Sequence, residues 1–252
     1  MKRTRLIGLI ASFAMAALVI AAWQWIADLR LISPVFLPAP DKAWAAFLFN
    51  VANGELPNRV MLTLRNMFYG WLIASFIGIA LGSLIGISRT ARAYLGPTLE
   101  FFRPLPASAM FPVAIAFLGL SEGMVLLVIG FGALWPTLLA TVNGFATVKD
   151  RLTEVARLLA MSRPKFIVAV ALPNAVPEIL AGMRLSLTIS LLLSVTGEML
   201  SGSEGLGHWI LLQARAFRTP DLFAGVILFG VIGYLSAQLM SVVEYRLLRW
   251  RR

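Results

Sequence analysis

Ser186, Ser190, Ser194 and Glu198 occupy every fourth position of an otherwise apolar run. That spacing stacks three hydroxyls and a carboxyl on one face of a helix. Such a face could line a wet path for a polar solute, with Thr137, Thr141 and Asn143 on a neighbouring run as further candidates. The competing reading is a tight helix contact in which each hydroxyl bonds the carbonyl four residues back. Glu198 reads as an acid at the interfacial end of a helix rather than as a proton carrier. No catalytic residue and no metal ligand is expected. The chain contains no cysteine, which excludes thiolate nucleophiles and thiolate metal sites, and its one histidine, His208, cannot form a two-His zinc pattern. His208 is assigned no role. The twelve acids are scattered, so the clustered groups of an intramembrane enzyme are missing. None of the four lysines, Lys2, Lys42, Lys149 and Lys165, follows a glycine, so there is no phosphate-binding Gly-x4-Gly-Lys-Ser/Thr loop.

The elements carrying these residues read as membrane spans. Of 252 residues, 59% are hydrophobic and only 13% charged, with a mean hydropathy of +0.83. A soluble chain has about a quarter of its residues charged, and a disordered one is poor in apolar residues; both classes are excluded. Runs long enough to cross about 30 Å of hydrocarbon lie at 6–27, 66–88, 104–121, 123–148, 180–200 and 222–243. The third is short and holds Pro104, Pro106 and Pro112. The fifth crosses only if Arg184 snorkels to one interface and Glu198 lies near the other. The first is read as a retained span, a cleaved signal peptide being the alternative. The formal charge of +10 would suggest nucleic acid in a soluble protein, but here the basic residues flank the apolar runs and no nucleic-acid partner is expected. With both termini in the cytoplasm, 16 of the 22 Lys and Arg fall on inner segments, as the positive-inside rule requires.

Gly70, Ala74, Gly78, Gly82 and Gly86 place a small residue at every fourth position of the second span. A ridge without bulky side chains lets another helix approach closely, within the chain or on a second copy. After the first span, Pro38 and Pro40 fix a turn before Asp41, and Trp44, Phe47 and Leu48 then form a short amphipathic stretch. It suits the outer interface or a plain packed loop helix. The segment from Asp150 to Met183 is the most basic internal stretch, yet it is patterned. Leu152, Val155, Ala156 and Leu159 share a helix face, and Arg151, Glu154, Arg157 and Arg163 surround it. Pro164 is expected to interrupt the helix and Pro173 to stop the short one that follows. The result is either a docking knob for a cytoplasmic partner or an amphipathic hairpin lying on the membrane.

Glu154-Val155-Ala156, three residues, Ala160, nine residues, then Val170-Ala171-Leu172-Pro173 resembles the EAA loop of ABC-importer permeases. That pattern has Ala, Gly and Ile at the positions of Val155, Ala160 and Val170. Ala160 in place of the bend-permitting Gly suggests that the helix runs on and bends nearer Pro164. Leu37-Pro38-Ala39-Pro40, the segment Phe101–Pro106 (Phe-Phe-Arg-Pro-Leu-Pro) and Gly205-Leu206-Gly207 extend the resemblance along most of the chain, to the taurine, aliphatic sulfonate and nitrate/bicarbonate permeases. The resemblance implies an all-α, six-span permease of the type I importer class in the bacterial inner membrane. It implies two permease copies, as a homodimer in membrane lipid, two ATPase subunits beneath them, and a periplasmic or lipid-anchored solute-binding protein. ATP and Mg would be held by the ATPase partner, with no cofactor on this chain. Glu154, Val155, Ala156, Arg157, Ala160, Pro164, Leu172 and Pro173, within the segment 150–173, would form the ATPase-coupling elbow. A six-span secondary transporter or channel is the alternative.

Overall fold

The computed structural model describes residues 2–249, with side chains from residue 11 onward. Lys2, Arg3, Arg5, Arg251 and Arg252, which weigh in the charge count above, lie outside the described side chains. The helices in chain order are α1 (Lys2–Asp28), α2 (Pro40–Ala52), α3 (Glu55–Ile87), α4 (Arg89–Phe102), α5 (Phe111–Leu118), α6 (Glu122–Ala146), α7 (Asp150–Leu158), α8 (Arg163–Phe166), α9 (Leu172–Ser201), α10 (Leu206–Arg215) and α11 (Thr219–Leu247). A 3-10 turn, Ala107–Met110, leads into α5, and a π turn, Ile167–Ala171, joins α8 to α9. No strand occurs among the described residues.

Among the described residues, five helical segments are long and apolar enough to cross a membrane: α1, α3, α6, the continuous Arg163–Ser201 and α11. A sixth crossing needs α4 and Ala107–Leu118 taken together, and these are bent by 82°. The run 104–121 is therefore not one helix. Arg103 still has α-region backbone (φ −54°, ψ −46°), but Pro104 and Pro106 carry no N–H to continue the helix and Pro106 is extended (φ −68°, ψ 120°), so the backbone breaks at 103–106. The helix preceding the break holds Arg89, Arg92 and Glu100, and counting uncharged residues alone misses it. Likewise α3 begins at Glu55, well before the uncharged run, because Arg59 and Arg65 are paired with Glu204 (3.5 Å) and Glu122.

The core is a three-helix body of α3, α6 and α9. The small-residue stripe of α3 lies against α6, within the chain. A Cβ on Gly70 would stand 2.4 Å from Ile129, on Gly82 2.6 Å from Thr141 and on Gly86 2.8 Å from Phe145. These pairings rise together, so α3 and α6 run parallel. Gly182 faces Ala140 and Pro136, Gly132 faces Leu193, and Gly197 faces Val125, which sets α9 antiparallel to α6. In lipid such close backbone contact supplies the association that the hydrophobic effect supplies in water. Between the stripes Met124, Val125, Val128 and Ile129 are fully buried. α1 and α11 lie at the periphery with their apolar side chains turned outward, as lipid-facing helices do. α1 is held by Trp23, whose indole N–H donates to the Pro38 carbonyl at 3.0 Å and whose ring meets Phe223. Arg184, deep within α9, forms an ion pair with Glu244 on α11. A partner sixty positions away, not snorkelling alone, lets that charge sit inside a span.

Candidate functional site

The hydroxyl stripe of α9 lies in dry contacts. Ser186 donates to the Ala133 carbonyl of α6 (2.6 Å), Ser190 to the Ser186 carbonyl (2.9 Å) and Ser194 to the Thr63 carbonyl of α3 (3.3 Å). On α6, Thr141 donates to the Thr137 carbonyl (2.6 Å). All five residues, Thr137 included, are fully buried. Ser190 and Thr141 thus bond the carbonyl four residues back, whereas Ser186 and Ser194 reach carbonyls of other helices, so the fourfold spacing serves helix contact in this structure. Asn143 alone of the set is exposed.

Glu198 lies in the last turn of α9. It is fully buried at the point where α3, α9 and the start of α10 meet. Its Oε2 accepts from the Thr63 hydroxyl and from the Gly207 N–H, both at 2.9 Å, and its Oε1 from Ser194 at 3.3 Å. Thr63 in turn accepts from the Leu206 N–H at 2.8 Å. Two of the donors left without intrahelical partners at the head of α10 are satisfied in this way. Glycine is required on both sides: a Cβ on Gly205 would stand 2.2 Å from the Glu198 carboxyl carbon, and one on Gly207 2.2 Å from the Val195 carbonyl oxygen. Glu55, Arg59 and Thr63 form one fourfold stripe on α3, and each holds this corner. Trp209 donates to Glu55 at 2.8 Å, and Arg59 faces Glu204. The sequence offers a signal for it, Gly205-Leu206-Gly207 seven residues beyond an acid in an apolar run, but nothing in the spacing joins the two.

At the opposite end of the core α7 stands out from the bundle. Ala156 is buried, whereas Leu152, Val155, Leu159 and above all Leu158, at 86% exposure, are open, with Glu154 and Arg157 exposed beside them. The helix does not run on to Pro164. It ends at Leu158, and Ala160 takes the left-handed conformation at φ 48°. The Met161 N–H donates to the Ala156 carbonyl (2.9 Å) and the Ala160 N–H to that of Arg157 (3.0 Å), the paired closure of a helix end that ordinarily carries glycine. Alanine occupies the bend despite its Cβ because these two bonds hold the turn shut. Pro164 sits in the first turn of α8, where a missing N–H costs nothing. Pro173 does not stop a helix. The π turn Ile167–Ala171 widens the backbone ahead of it, and Arg163–Ser201 is continuous over 39 residues.

Apolar crossings packed around a three-helix core, with an elbow protruding at one end, define a polytopic membrane protein. The family described as "Binding-protein-dependent transport system inner membrane component" matches residues 74–250, and the chain belongs to it. It is accordingly the multi-pass inner-membrane permease subunit of an ABC importer, with ATP hydrolysis assigned to a separate subunit. The chain is 36% identical to the putative aliphatic sulfonates transport permease protein SsuC of Bacillus subtilis, over 97% of this chain and 88% of that one. It is 28% identical to the taurine transport system permease protein TauC of Escherichia coli, over 95% and 89%. With the bicarbonate transport system permease protein CmpB of Synechococcus elongatus the identity is 30%, over 76% and 69%. In fold it is similar to the inward-facing MetNI methionine ABC transporter (TM-score 0.65, 19% identity, covering 76% of this chain and 95% of that one).

Proposed function

We propose that this permease, as a homodimer, forms the path for a small anionic solute of the sulfonate, nitrate/bicarbonate or aromatic carboxylate kind. A binding protein delivers the solute on the α10 side. The functions named for the SsuC, TauC and CmpB relatives support that class. The elbow 150–173 is cytoplasmic and seats on the ATPase: Glu154, Val155, Ala156 and Arg157 on α7, then Ala160, Pro164, Leu172 and Pro173. The observation that carries this reading is mechanical. The exposed α7 face of Leu152, Val155, Leu158 and Leu159 is tied by a hydrogen-bonded turn to a helix continuous from Arg163 to Ser201, whose inner part is packed along α6. A push on α7 is therefore delivered to the core rather than absorbed in a loop. The lysines and arginines concentrated around 149–165 agree with a cytoplasmic side.

Reversing both charges, Glu154→Lys with Arg157→Glu, tests it. The doubly reversed subunit is expected to reach the membrane in normal amount, to lose co-purification of the ATPase in mild detergent, and to support no uptake. Normal uptake with normal ATPase association overturns the docking role.

A further inference from the structure

We infer that the break between α4 and Ala107–Leu118, with Arg103 at its vertex, lies on the aqueous solute path and presents a positive charge to an anion passing mid-membrane. This rests on the importer reading and specifies where within it the anion is met. Depth comes first. Phe102 stacks on Trp135 (ring centroids 5.7 Å apart), and Ala107 is a neighbour that a Cβ on Gly132 would strike at 2.7 Å. Trp135 and Gly132 occupy the middle of the 25-residue α6. The vertex 103–106 is thus at half depth, while α4 begins beside the inner end of α3 and Leu118 ends beside Gly123 at the start of α6.

Two properties of that vertex are incompatible with lipid. Its backbone is outside any helix, and non-helical backbone at membrane depth persists only where protein covers it or water fills the space beside it. Its side chain is a guanidinium, 64% exposed in the protomer, and a charge at the bilayer centre is tolerated when it faces a wet cavity. Residues 101–106 are all exposed, so no described part of the same chain covers them. Pro104 and Pro106 fit this place, since neither adds an amide N–H to be satisfied.

Arg103 is not bare. Glu100, one turn earlier, lies 3.4 Å from it. A neutral pair lowers the resting cost of the charge, and an arriving anion competes with the Glu100 carboxylate for the guanidinium. The anion is therefore held weakly enough to leave, as conduction through a path requires.

The lack of native cysteine allows a direct test in native membranes. Leu105→Cys is introduced at the vertex and treated with membrane-impermeant methanethiosulfonates, one bearing a sulfonate and one a trimethylammonium group. The introduced thiol is expected to react with both, and the sulfonate reagent to be favoured about tenfold relative to free cysteine. Adding Arg103→Gln should bring that preference close to the free-cysteine value, and Arg103→Lys should keep most of it, which separates charge from misfolding. Lack of reaction at the introduced thiol, or a preference that Arg103→Gln leaves unchanged, overturns the inference. The importer reading is scored separately by ATPase co-purification of the Leu105→Cys protein. Retained ATPase with an unreactive thiol sinks only the path assignment, and lost ATPase with a reactive, anion-preferring thiol sinks only the ATPase-docking part of the proposed function.

Discussion

The corner where Glu198 grips the head of α10 makes a quantitative forecast through two glycines. Gly205 has extended backbone (φ 170°) that any residue adopts, so Gly205→Ala carries no conformational penalty and tests contact alone. Its Cβ would lie 2.2–2.6 Å from three carboxyl atoms of Glu198, and the carboxylate must move off the Thr63, Ser194 and Gly207 donors. Overpacking of this kind costs about 1–3 kcal/mol, and a stranded buried donor adds about 1–3 kcal/mol, so a loss of roughly 3 kcal/mol is expected from the two together. Glu198→Ala strands the same donors and should cost about 3–5 kcal/mol. In the double variant the obstacle to the added methyl is gone, so the cost of Gly205→Ala should nearly vanish and the cycle should show coupling of about 2–3 kcal/mol. Gly207→Ala is the internal control. Its Cβ meets the Val195 backbone at 2.2 Å, and no side-chain truncation relieves that. In thermal unfolding of the detergent-solubilised protein, at about 2–4 °C per kcal/mol for a chain of this size, Gly205→Ala should lower Tm by about 6–12 °C. It should lower it by little more once Glu198 has been truncated to alanine. Additive losses in the double variant would refute the geometry.

Two glycines on the parallel α3–α6 pair should respond oppositely. Gly82→Ala brings a Cβ to 2.6 Å from Thr141 and 2.8 Å from the Leu138 carbonyl, forcing the helices apart at a cost of about 2–3 kcal/mol; Gly130→Ala meets nothing within 4 Å and should gain up to about 1 kcal/mol from helix propensity. Paired melting curves decide this, and equal losses would place the α3–α6 interface elsewhere. Ala160→Gly should relieve left-handed strain of about 1–2 kcal/mol, slowing limited proteolysis between α7 and α8. Ala160→Val should speed it, and insensitivity to either would mean that the turn is not held at φ 48°.

How far the sequence reveals this molecule depends on whether a property is local. Hydropathy is local, and the apolar crossings follow from it. Charge tolerance is not. Arg103 and Arg184 each read as the edge of a span in sequence, yet Arg184 sits inside α9 because Glu244 meets it from α11, and Arg103 sits at the vertex of a broken span. A fourfold hydroxyl pattern is equally compatible with a wet face and a dry contact. In the structure Ser186 and Ser194 bond the carbonyls of Ala133 and Thr63, 53 and 131 residues away, partners that no local pattern names. Ala160 is the converse, a local substitution that suggests a longer helix and is overruled by two turn-closing hydrogen bonds.

These displacements share a direction. The polar groups whose spacing suits a solute, Ser186, Ser190, Ser194 and Glu198, are consumed in holding α3, α6, α9 and α10 together. Polar groups satisfied within a low-dielectric body are the expensive kind to disturb, and a body that must transmit a push from α7 to the far end benefits from being locked by them. The residues that remain available to a moving solute are those whose own backbone is irregular and whose charge no neighbouring helix neutralises from across the core. Arg103, paired along its own helix with Glu100, meets both conditions at half depth. The division is physical: the α3–α6–α9 core pairs Ser186, Ser190, Ser194 and Glu198 within itself, and the α4–α5 chevron keeps the Arg103–Glu100 pair at its surface.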